Sequence, residues 1–121
     1  MMHSDKITDA IESNRSRTPV GRNGWVDIDA DGTITVRLYD TAIARRLPCG
    51  DIKAAHGGFV TGTTQRWISS ALWAFGAQGV SVTRKIASEC MTVDGVAIGE
   101  GFGPTVARGR VSPVFIADMA R

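Results

Sequence analysis

No apolar run in this chain approaches the ~20 residues that a membrane-spanning helix needs. The N-terminal stretch "MMHSDKITDAIESNRSRT" lacks the apolar core of a secretion signal. A cytoplasmic address and no membrane partner are therefore expected. Cysteine and histidine are scarce: Cys49, Cys90, His3 and His56 are all there is. No CxxC pair occurs, and a disulfide between Cys49 and Cys90 is less expected in the cytoplasm than two reduced thiols. Four such residues, scattered, do not supply a metal site at workable spacing. No metal and no cofactor is expected. Net charge is also small, +2, too little to announce a nucleic-acid binder.

The 121 residues give room for one domain. Apolar content of 43% and charged content of 21% are ordinary for a globular chain, while 14 glycines favour turns and a β-rich fold. Charge is unevenly spread. Residues 1–40 carry five basic and seven acidic groups, and residues 41–121 carry nine and five. The second part is basic enough to suit an acidic partner, although a bias of this size is also what a solvated surface shows.

Along the chain, Ser4 is placed to cap a short helix over 5–13 with Ile7, Ala10 and Ile11 on one face. The polar stretch 13–24 reads as a linker, so residues 1–23 form an N-terminal helix and linker ahead of a core at 24–98. In "WVDIDADGTITVRLY" apolar residues alternate on both sides of Asp31-Gly32. A two-residue turn would split the apolar face. A three-residue loop, Ala30-Asp31-Gly32, instead pairs Ile28 with Ile34 and Val26 with Val36, with Gly32 in the left-handed position. "TAIARRLPCGDIKAA" repeats the device around Pro48-Cys49-Gly50, with strands at about 41–47 and 51–55, although Arg45 and Arg46 interrupt the alternation. A helix is expected over about 64–75, stopped by Gly76 and Gly79, with Trp67, Ile68, Ala71, Leu72, Ala74 and Phe75 on one arc. "VSVTRKI" reads as a strand, and "CMTVDGVAI" as a hairpin with a two-residue Asp94-Gly95 turn pairing Val93 with Val96 and Met91 with Ile98. Residues 99–121 are a Gly-rich segment. Ser112-Pro113 there could open a short helix, and "VFIA" could equally be an edge strand. The fold class is α+β: a small antiparallel sheet of hairpins, four to six strands, with the 64–75 helix on one face.

The stretch "GGFVTGTTQRWI" at 57–68 raises the question of a phosphate cradle. Gly57 and Gly62 have Walker A spacing and Thr64 matches its last position, but Thr63 stands where that loop needs Lys. Without the cation the loop cannot hold a triphosphate in the usual way. The plainer reading is a chain reversal at Gly57-Gly58 followed by a helix capped by Thr63 or Thr64. The stretch from Asp31 to about residue 85 resembles small accessory proteins of tailed phages and prophages that have no assigned activity. The shared pattern, Gly-Gly-aromatic then Thr-x-Thr-Thr then a helix, rests on Gly57, Gly58, Phe59, Thr61, Thr63 and Thr64. The chain departs from it in having Phe59 where Trp is expected, and in its longer Gly-rich C-terminal part. The resemblance implies a phage or prophage origin, hence a host cytoplasm, and no catalytic residues.

Other features are weighed in the same way. His56 could serve as a general base, but a lone His in a turn is usually a solvated surface group. "DIDADG" matches the first half of an EF-hand loop, yet Leu38 occupies the position of the bidentate Glu, and alternating Asp on the wet face of a strand explains the letters. Trp73 falls on the polar arc of the helix, near Arg66 and Ser70; Trp and Arg mark binding hot spots, although the chain's own ends could also cover it. With Arg84 and Lys85, and with Arg108 and Arg110 of "ARGR", these residues are the expected binding set. The expectation is a non-enzymatic, phage-type protein that binds a host protein or nucleoprotein complex. Its specific version is an inhibitor of a host defence system, such as an anti-CRISPR. The alternative is a small nucleic-acid-binding regulator using the basic 41–121 part. Self-association is left open.

Overall fold

The computed structural model describes residues 2–85 and 87–111. Two helices and nine strands follow in the order α1 (Met2–Glu12), β1 (Arg17–Val20), β2 (Gly24–Ile28), β3 (Ile34–Leu38), β4 (Thr41–Arg46), β5 (Asp51–Ala54), α2 (Gly62–Ala74), β6 (Val82–Lys85), β7 (Cys90–Val93), β8 (Val96–Ile98) and β9 (Ala107–Arg108). The fold is α+β. Strands β1 to β5 and then β9 form one antiparallel sheet in that order, and β6-β7-β8 form a second.

The hairpin registers follow the apolar pattern. Ile28 pairs with Ile34 and Val26 with Val36. The three-residue loop is closed by Asp29 N–H to the Thr33 carbonyl, with Gly32 at φ 93°. The β4–β5 loop uses the same device: Leu47 N–H donates to Asp51 and Gly50 sits at φ 97°. In the last hairpin Val93 pairs with Val96 and Met91 with Ile98 across Asp94-Gly95, both in the left-handed region. Two of the three Asp residues of "DIDADG" are occupied by protein partners. Asp27 pairs with Arg37 at 2.8 Å and Arg17 at 3.5 Å, and Asp31 Oδ1 accepts the Thr33 N–H.

Several expectations are corrected. Ser4 is not a cap but a buried residue inside α1, which begins at Met2. Residues 17–20, read as linker, form β1 against β2, because Val20 supplies a buried side chain to the same core as Ile7, Ala10 and Val26. The Gly-rich segment contributes β9, which lies along β5 with Ala107 opposite Ile52. The expected cap at Ser112-Pro113 and the "VFIA" stretch lie outside the described residues.

Helix α2 is bounded by two well-formed caps. Thr61, not Thr63 or Thr64, is the N-cap: its Oγ1 accepts the Thr64 N–H at 3.2 Å from an extended backbone. At the other end Gly76, at φ 94°, donates to Trp73 and Ala77 donates to Leu72, a Schellman motif. The expected arc is buried, and it is wider than the wheel shows, because α1 packs beside α2 as well as on β1 and β2. Ser70, assigned to the solvent side, is therefore buried. The Trp67 ring lies over Gly24 of β2, where a Cβ would overlap it, and the His3 ring rests against Trp67 at 4.6 Å.

Truncating the centre of this interface is expected to be costly. Ile68→Ala or Leu72→Ala should lower unfolding free energy by roughly 2–5 kcal/mol in urea denaturation. Gly24→Ala, which forces the Trp67 ring aside, should cost about 1–3 kcal/mol.

Candidate functional site

The "GGFVTGTT" loop answers its own question by forming one wall of a cleft. Phe59 N–H donates to the His56 carbonyl at 2.9 Å, closing a four-residue turn around Gly57 and Gly58 at φ 63° and 88°. Only glycine takes both positions without strain. Gly57 is also held by space, since a Cβ there would strike the Thr41 methyl. The turn throws Phe59 outward, and the chain then enters α2 through Thr61.

The opposite wall comes from the β3–β4 hairpin. Leu38 pairs with Thr41 across the two-residue turn Tyr39-Asp40. Tyr39 holds φ 54° at the first turn position, which Gly or Asn normally takes. A bulky residue there is a genuine outlier. It is secured by its N–H to the Asn23 carbonyl and by Asn23 Nδ2 reaching its hydroxyl at 3.3 Å. One turn further on, β4 carries a bulge. Val36 pairs with Ala44 and Arg37 with Ala42, leaving Ile43 as the extra residue, and Ile43 lines the cleft.

The space enclosed is about 330 Å3, the lower end of the range for small-ligand or side-chain pockets. Tyr39 and Phe59 stand on its rim, 62% and 59% exposed. Leu38, Ile43 and the Thr41 methyl supply apolar surface; His56, Thr61, Thr63 and Thr64 supply polar groups. His56 was expected on the surface but is only 9% exposed. Its Nδ1 accepts the Gly58 N–H at 3.0 Å, which assigns the proton to Nε2 and makes the free edge of the ring a donor. Among the lining residues there is no carboxylate, lysine or cysteine to pair with His56.

The expected binding residues fall into separate groups. Arg66 and Arg84 converge at the first turn of α2: a Cβ on Gly62 would stand 3.5 Å from Arg66 Nη1 and 3.5 Å from Arg84 Nη2. Neither is in a salt bridge among the described residues. Thr61 and Thr63 flank Gly62, so these cations adjoin the cleft. Trp73 is 46% exposed and lies two turns from Arg66, about 10 Å along the axis. Ser70 is buried and contributes no surface. Lys85 follows Arg84 on β6 and so points to the other side of that sheet. Arg108 pairs with Asp51 at 3.4 Å. Arg110 donates its backbone N–H to the Phe75 carbonyl and lies across Gly76, at the C-terminal end of α2. That end is about 12–15 Å from Arg66 along the helix axis. A cation there complements the helix dipole. The two arginines of "ARGR" are exposed and lie apart from the Arg66–Arg84 pair.

The cleft residues Tyr39, Ile43 and His56 were not among the expected set. Tyr39-Asp40 between two strands was the available signal. No family model, curated protein or solved structure matches the chain. No helix among the described residues is long and apolar enough to cross a membrane.

Two stability measurements check this geometry. Tyr39→Asn should raise stability by about 0.5–1 kcal/mol, because Asn tolerates the left-handed conformation and Tyr does not. A loss would show that the Tyr39 ring is a packing residue. Trp73→Ala should leave the thermal melt nearly unchanged. A fall as large as that of Leu72→Ala would show that Trp73 is covered within the chain.

Proposed function

We propose that this is a non-enzymatic binding protein. It docks on a macromolecular partner through the Tyr39–Phe59 cleft, with Arg66, Arg84 and Trp73 extending the contact along α2. One observation carries the reading: among the described residues Tyr39, Phe59 and Trp73 are the most exposed large apolar side chains, the first two on the cleft rim and the third about 10 Å along α2 from Arg66, and Tyr39 is held there in a strained backbone. The cleft takes an aromatic or branched side chain of the partner. His56 Nε2 and the threonine hydroxyls fix its polar edge, and the two arginines meet acidic groups around it. On the phage-type pattern of the loop, the partner is a host protein or nucleoprotein complex, and the specific version is an inhibitor of a host defence system. A second reading has its own support, the convergence of Arg66 and Arg84 on the first turn of α2, which suits a nucleic-acid phosphate.

Affinity capture from host lysate, run with and without nuclease, tests both. A nuclease-resistant partner should be retained by the wild type and lost with Phe59→Ala or Trp73→Ala, each weakening binding by roughly 2 kcal/mol, about 30-fold. Retention that nuclease abolishes would replace the protein partner with nucleic acid. Retention unaffected by both variants would remove the site.

A further inference from the structure

The second anomaly of the sequence, the charge at the end of "TAIARR", marks a different place. Arg46 is opposite Ile34 on one side and Ile52 on the other, so its side chain emerges on the same face of the sheet as these buried residues. It is 5% exposed. Its Nε has no hydrogen-bond partner, and no carboxylate among the described residues is within ion-pair distance of it. The nearest favourable contact is the Phe75 ring, 6.0 Å from the guanidinium carbon. Burial, and then the proximity of Arg110, push its pKa down. A buried cation without a counter-charge is among the most destabilising arrangements a core can hold. Apolar residues of the same size would be better there for stability alone.

The side chain lines a cleft of about 710 Å3 between the end of α1 and the β2–β3 loop, separate from the Tyr39–Phe59 cleft. Ile11, Ile28 and Ile34 give that cleft an apolar side, and Glu12 and Asp29 stand in its wall. We propose that Arg46 is the anchor of a binding site for a small monocarboxylate with an apolar body. The guanidinium fork matches the two oxygens of a carboxylate, and the isoleucines would cover the hydrocarbon part. Glu12 and Asp29 weigh more heavily against a dianion such as phosphate than against a monoanion. The inference does not depend on the docking surface above.

The test uses the full chain and isovalerate as probe, with sodium chloride at equal ionic strength as the reference. Isovalerate should shift the Arg46 Nε–H resonance in 15N NMR of the wild type and raise its melting temperature by a few degrees. Arg46→Met should melt higher than the wild type without the probe and show no response to it. Inorganic phosphate should do markedly less than isovalerate. The site is overturned if the Nε–H resonance does not move in the wild type, or if Arg46→Met keeps the thermal response. A lower melting point for Arg46→Met without probe would mean that the guanidinium is already compensated within the chain, and equally overturns it. A response to phosphate alone would overturn the carboxylate class.

Discussion

Everything in the fold that positions the cleft depends on the close approach of Trp67 to Gly24. The strand backbone offers no side chain at that point, and the indole fills the space. With the His3 ring against Trp67, helix α1, helix α2 and strand β2 meet at one side chain. This sets where α2 begins. The Thr61 cap and the point where Arg66 and Arg84 converge lie one to two turns before Trp67 on the same helix. Gln65 Nε2 then reaches the Val82 carbonyl at 2.8 Å and ties the second sheet to the same helix.

Among the buried polar side chains of the described residues, the ionisable His56 and Arg46 differ in kind. His56 is buried but served: one ring nitrogen accepts the Gly58 N–H, and the residue lines an open cleft. Arg46 is buried and unserved. The first fits a site made by a loop, the second a site made by the sheet. Both lie next to a departure from regular pairing or alternation, the Ile43 bulge in one case and the broken apolar alternation of β4 in the other. Such departures cost stability and stand out in an otherwise regular set of hairpins.

Much of the fold was legible because its signals are local. The parity of Val26, Ile28, Ile34 and Val36 admitted one register, and Gly32 had to occupy the left-handed position. The apolar arc of α2 and its glycine stop were equally explicit. What escaped depended on neighbours distant in sequence. Residues 17–20 carry no alternation of their own and become a strand only because β2 offers an edge. Ser70 reads as a solvent residue until α1 is laid beside it. Thr61 lost the capping assignment to two threonines closer to the expected start. Of the candidate site, Arg66, Arg84 and Trp73 are exposed or brought near the cleft, while the exposed Arg108 and Arg110 lie elsewhere, at the β5–β9 edge and the C-terminal end of α2. The cleft itself was not legible, because Tyr39 and Phe59 are 20 positions apart and only the sheet brings them to one rim.

The central claim is that the Tyr39–Phe59 cleft is a formed recognition site. It is tested most directly by titrating the labelled protein with indole, a stand-in for a partner's aromatic side chain, and following backbone amide shifts by NMR. The account predicts saturable shifts confined to Tyr39, Thr41, Ile43, His56, Phe59 and residues 61–64, abolished in Phe59→Ala. Shifts that are absent, that spread over the whole surface, or that gather at Trp73 alone would contradict it.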